Sequence, residues 1–176
     1  MNEEGKEVNV KCELRFIDSL RFMALSLDKL SSNLKIDQFV NLKKYYSGNQ
    51  LSLLLRKGVY PYDYVDCLKK IDETSLPAKE AFYSKLTGEG VTDEDYHHAH
   101  TVWKKFNIES MKDYHKLYNL SDELLLADIF ENLRSICMNH YGLDPAWYFS
   151  APGLAWDATF KITKVQLELL SDLTCC

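Results

Sequence analysis

Val8, Val10, Cys12, Leu14 and Phe16 alternate with Asn9, Lys11, Glu13 and Arg15, the period of two of a strand with one buried face. Every later pattern is helical. Ser26 is placed to cap a helix whose Leu27, Leu30 and Leu34 share one face, and Pro77 fits a first helical position ahead of Ala81, Phe82 and Leu86. Thr92 with Asp95 has the form of a capping box, followed by Tyr96, Ala99, Trp103 and Phe106 at helical spacing. Ser110 opens a long helix that should run to about His140 and stop at Gly142 and Pro145. After the Ser26 helix and before the later ones, Gly58 and Pro61 mark Arg56–Tyr62 as a turn or irregular loop. One strand among helices is an incomplete inventory, because a lone strand has no partner for its backbone hydrogen bonds. Further chain is therefore expected upstream, and the ending on Leu-Thr-Cys-Cys suggests further chain downstream.

The 176 residues, 46% of them hydrophobic, suffice for one domain with its own core. A net charge of −5 argues against a surface that grips phosphate along its whole extent, so any nucleic-acid contact is local. Five scattered cysteines, Cys12, Cys67, Cys137, Cys175 and Cys176, have neither zinc-site spacing nor an even count for a disulfide framework. No apolar run approaches the roughly 20 residues that span a bilayer, so no membrane partner is expected and the reading is of a soluble, intracellular chain, the nucleus included.

The chemistry concentrates in the long helix, where Tyr118 and Asp122 are four apart and share a face. That spacing suits a nuclease in which a carboxylate helps hold a divalent ion and a phenol orients the attacking water. The same spacing is met by helices that use the tyrosine for packing and the aspartate for solubility. His97, His98 and His100, close to Asp93 and Asp95, read as a solvated helix face rather than a metal cluster, and the tyrosines of Tyr60-Pro61-Tyr62-Asp63-Tyr64 suit either base stacking or core packing.

The surroundings of the pair narrow the choice. Asp113-Tyr114-His115-Lys116-Leu117-Tyr118 leads into Asp122-Glu123-Leu124-Leu125-Leu126-Ala127-Asp128-Ile129-Phe130-Glu131-Asn132, and this run resembles the third exonuclease motif of type B DNA polymerases of the organellar and viral, protein-primed kind. Those enzymes are encoded by linear plasmids, phages and the Maverick or Polinton transposons. The similarity takes in Lys57–Tyr64, Pro77–Tyr83, Tyr141–Pro145 and Ala151–Ala158, about residues 12 to 172 in all. Ser19-Leu20-Arg21-Phe22-Met23 resembles the family's Ser/Thr-Leu-x-x-hydrophobic element, and Lys57-Gly58-Val59-Tyr60 its Lys-x-x-hydrophobic element.

The resemblance implies an α/β class, a partial RNase H-like 3′–5′ exonuclease domain that is mostly helical in this chain. Residues 8–142 would form the later part of the exonuclease domain, and residues 143–176 the connection entering a polymerase palm. It implies Asp122 as a ligand of Mg²⁺ or Mn²⁺ in a two-metal site, Tyr118 as the water-orienting phenol and Lys57 as the electrostatic assistant to hydrolysis. Ser19 and Leu20 would contact the single-stranded DNA primer end. The parent protein would use dNTPs and a terminal-protein primer in replicating a mobile or virus-like genome. The family's first and second exonuclease motifs, with their three other metal carboxylates, and its palm motifs are not found in this sequence. The isolated chain is therefore expected to be inactive, and the rival reading is a non-catalytic, transposon-derived remnant that binds protein or DNA.

Overall fold

The computed structural model describes residues 14–167. Seven α-helices form among them: α1 (Leu27–Ser32), α2 (Val40–Tyr45), α3 (Gly48–Leu54), α4 (Leu68–Ile71), α5 (Asp93–Lys105), α6 (Met111–Tyr141) and α7 (Ala151–Thr163). Among the described residues there is no strand, and an isolated bridge between Ser84 and Glu89 is the β feature present. The fold is mostly helical. Most of the strand expected over residues 8–16 lies outside the described residues. Its described end, residues 14–16, is not strand, and Leu14 and Phe16 stand 79% and 92% exposed.

Local chemistry accounts for the helix starts. The Ser26 hydroxyl accepts from the Lys29 amide, although α1 ends before Leu34. Thr92 Oγ1 accepts from the Asp95 amide at 3.1 Å and donates to the Asp95 carboxylate at 2.8 Å; Ser110 does the same with Asp113 at 3.3 and 2.8 Å. Gly142, at φ +61°, follows the last turn of α6 in the left-handed conformation that favours glycine. The helix expected after Pro77 is corrected to a single 3₁₀ turn, Lys79–Phe82. Tyr83 is extended and the chain reverses through Gly88, at φ +72°, leaving Leu86 95% exposed. The extended Tyr83 directly after Phe82 and the Ser84–Glu89 bridge end the helical turn there.

The chain packs as two units, one of residues 25–140 and one whose described parts are residues 14–24 and 141–167. In the larger unit α6 is the spine. Met111, Tyr114, Tyr118, Ser121, Leu125 and Asp128 recur at alternating intervals of three and four and are all buried. The first half of that stripe packs with Tyr60, Ala99, Val102 and Ile108, and the second half with Phe39, Leu42 and Leu54. Leu117 and Phe106 pack against both groups. Asp128, 1% exposed, accepts from the backbone amides of Asn41 at 2.7 Å and Leu42 at 3.0 Å. It thus caps α2, whose own N-cap, Phe39, has no side-chain oxygen to offer. In the smaller unit, α7 buries Leu154 and Ala158, Lys161 donates to the Gly142 carbonyl at 2.7 Å, and the Arg15 guanidinium lies 4.9 Å over the Trp147 ring.

Candidate active site

The segment after α3 is irregular but closely held. Arg56 pairs with Asp95 of α5. The Tyr114 hydroxyl donates to the Val59 carbonyl at 2.6 Å, and the Asp63 carboxylate accepts from the Lys85 amide at 2.8 Å. Tyr64 donates to the Glu73 carboxylate, with its hydroxyl 2.8 and 3.0 Å from the two oxygens. The Tyr114 bond, with the rings of Tyr60 and Tyr62 against Tyr118, lays this segment along the face of α6 that carries Tyr114 and Tyr118.

Gly58 makes the closest approach. A Cβ there would stand 3.0 Å from Cδ2 and 3.3 Å from Cε2 of Tyr118, so the absence of a side chain lets the loop lie on that ring. Lys57, the residue before Gly58, is near enough for its charge to act on the Asp122 carboxyl without pairing with it directly, and the loop's other end brings the Tyr62 hydroxyl to 2.5 Å from that of Tyr118. Lys57, distant in sequence, is thus near the Tyr118–Asp122 pair of α6. Tyr60 is buried among the rings of Tyr62, Tyr114 and Tyr118, whereas Tyr62 is 63% exposed.

Burial sets the electrostatics. It raises the Asp122 carboxyl above its ordinary range, against the opposing effects of the Tyr118 hydroxyl and the Lys57 cation. Asp122 Oδ1 is buried without a hydrogen-bond partner. Tyr118 is pushed far up by burial, by its bond to Tyr62 and by the neighbouring Asp122 charge. Its phenol therefore keeps its proton at any ordinary pH, as suits a group that orients water rather than one that takes a proton. On the far side of the loop, Asp95 is held low: burial opposes this, but the Thr92 hydroxyl and Arg56 outweigh it. His98, next to that pair, is lowered by burial and then by the Arg56 cation.

Ser19 and Leu20 lie in the smaller unit, in a 3₁₀ turn (Ser19–Arg21) capped by Asp18, which accepts from the Leu20 amide at 3.0 Å. The Leu20 side chain is 60% exposed. Among the described residues no group of three or more His, Cys, Asp or Glu side chains converges to hold a metal ion. Asp122 offers one carboxylate, and two divalent ions bound through oxygen require more donors than that, so the described residues do not by themselves fit a two-metal centre.

Patterning marks Gly58 as a turn residue without its contact to Tyr118, and does not single out His115 or Asp128. The one signal for Gly58 was its place in a Gly/Pro turn, and Asp128 could be found only as the polar member of a three-four stripe. No helix among the described residues is long and apolar enough to cross a membrane. No family model, curated protein or solved structure matches the chain.

Proposed function

We propose that this chain carries one wall of the 3′–5′ proofreading exonuclease centre of a protein-primed, B-family DNA polymerase, acting on the single-stranded end of a primer. The observation that carries the proposal is the seat of Gly58 on the Tyr118 ring, which leaves the neighbouring Lys57 near enough for its charge to act on the Asp122 carboxyl. The family resemblance marks all three for one reaction, and two of them belong to α6 while the third precedes the loop glycine that packs on it, which supports this reading.

The roles follow from the chemistry of each group. Lys57, a cation beside a buried carboxylate, can offset charge that builds on a scissile phosphate. Tyr118, kept protonated, can donate to or orient an attacking water. Asp122, with an unpartnered buried oxygen, supplies one oxygen donor to a Mg²⁺ or Mn²⁺ centre; in this reading the other carboxylates come from a segment bearing the first two exonuclease motifs. The RNase H-like fold, the primer contacts of Ser19 and Leu20, and the use of dNTPs and a terminal-protein primer by the parent polymerase belong to the same proposal.

The test is restoration. The chain itself should neither synthesise DNA nor degrade it. Fused behind a segment of a related polymerase that bears the first two exonuclease motifs, it should hydrolyse labelled single-stranded DNA from the 3′ end when Mg²⁺ or Mn²⁺ is added. In that fusion Asp122→Ala should abolish hydrolysis, Tyr118→Phe and Lys57→Ala should lower kcat, and Ser19→Ala should raise KM. A fusion that folds and binds DNA, yet hydrolyses it at a rate indifferent to Asp122→Ala, would replace this reading with the non-catalytic binding module.

A further inference from the structure

The Tyr60 ring is the hub of the loop. It lies 5.0 Å from the Tyr118 ring, 5.2 Å from Tyr62 and 6.2 Å from Tyr114, all between centroids, and it is 9% exposed. A phenol buried to that degree needs a partner for its hydroxyl. The partner is His115: Nδ1 lies 2.9 Å from the Tyr60 hydroxyl, and the same imidazole's Nε2 lies 3.0 Å from the Asn119 side-chain amide. An imidazole held at both nitrogens cannot turn about its χ2 bond without breaking one of the two contacts.

His115 and Asn119 are four apart on α6, and His115 is three before Tyr118, so the clamp belongs to the same stretch of helix as the phenol of the site. On one side of Tyr60 the chain presses Gly58 onto the Tyr118 ring; on the other it delivers the Tyr62 hydroxyl to that of Tyr118. The tilt of Tyr60 therefore fixes both approaches at once. We propose that His115 is a positioning residue: through Tyr60, and with Asn119 behind it, it sets the loop that presents Lys57 and Tyr62 to Tyr118 and Asp122. Its functional meaning rests on the exonuclease reading, but its structural effect can be measured without it.

The experiment uses the full chain with tyrosine labelled by ¹³C at Cζ, whose NMR shift reports hydroxyl hydrogen bonding. Tyr62→Phe and Tyr118→Phe assign the two resonances of interest. Tyr96, which donates to the Pro77 carbonyl at 3.0 Å, serves as internal control. His115→Ala should shift the Tyr62 and Tyr118 signals while leaving Tyr96 in place, and His115→Gln, whose amide can still bond Tyr60, should return them most of the way. Should His115→Ala fail to fold, Tyr60→Phe deletes the same bond at nearly constant volume and should give the same shifts. Unchanged Tyr62 and Tyr118 signals, a Tyr96 displaced as far as they are, or no rescue by Gln would overturn the proposal. In the fusion described above, His115→Ala should lower kcat several-fold with little change in KM; an unchanged kcat in an active fusion would also overturn it. A fusion without Asp122-dependent hydrolysis would remove the exonuclease reading and leave the NMR result standing, so the two can fail separately.

Discussion

Replacing Gly58 with alanine tests the contact on which the site depends. The added Cβ would meet Cδ2 of Tyr118 at 3.0 Å and Cε2 at 3.3 Å, closer than ordinary van der Waals contact. For the methyl to fit, the ring must withdraw by a few tenths of an ångström. It has little freedom to do so, because Tyr118 is 6% exposed, the Tyr60 ring lies 5.0 Å away and the Tyr62 hydroxyl holds its tip. Overpacking of this kind costs about 1–3 kcal/mol. Against it stands the smaller entropy of an unfolded chain without that glycine, worth about 0.4–1 kcal/mol in the folded state's favour. The expected net effect of Gly58→Ala is a loss of roughly 1 kcal/mol, within a span of about 0–2.6 kcal/mol. Gly90 supplies the matched control, since a Cβ there meets nothing within 4 Å and its φ lies outside the left-handed region; Gly90→Ala should be neutral or gain about 0.4–1 kcal/mol. Urea denaturation of both variants, with slopes compared as well as midpoints, makes the measurement. A Gly58→Ala chain as stable as Gly90→Ala would show that the loop does not press on Tyr118, and the site as drawn would lose its basis.

Two further outcomes follow from the buried carboxylates. Asp128→Ala removes the acceptor of two backbone amides at the start of α2 and should cost about 2–4 kcal/mol in denaturant unfolding, whereas an unchanged midpoint would deny Asp128 its capping role. Asp122 is raised above its ordinary pKa by burial, so its protonated form favours the folded chain: that contribution is complete below the unfolded pKa and is lost as pH rises through the folded one. Asp122→Asn should accordingly be more stable than the parent chain at pH 7, with the difference shrinking as the pH is lowered into the carboxylate range; a gap that is constant or widens on acidification would contradict it.

Local chemistry accounts for the elements that are legible in the amino-acid order. Ser26, Thr92 and Ser110 were legible as helix caps because each bonds an amide three residues on, and Gly142 as a stop because its backbone tolerates the left-handed turn. The pairing of Tyr118 with Asp122 was legible too, being a consequence of helical pitch. Tertiary structure decided everything that crosses from one segment to another. The Pro77 pattern predicts a helix, but the extended Tyr83 and the Ser84–Glu89 bridge leave a single 3₁₀ turn. The start of α2 carries no cap of its own and takes one from Asp128, far along the chain, which no local pattern encodes. The approach of Lys57 towards Tyr118 and Asp122 is an expectation of the resemblance alone. Physically it depends on a missing Cβ at Gly58 and on bonds from Tyr114 and His115 to the loop, and such long-range contacts leave no periodicity in the sequence because they are made once, between residues with no fixed spacing.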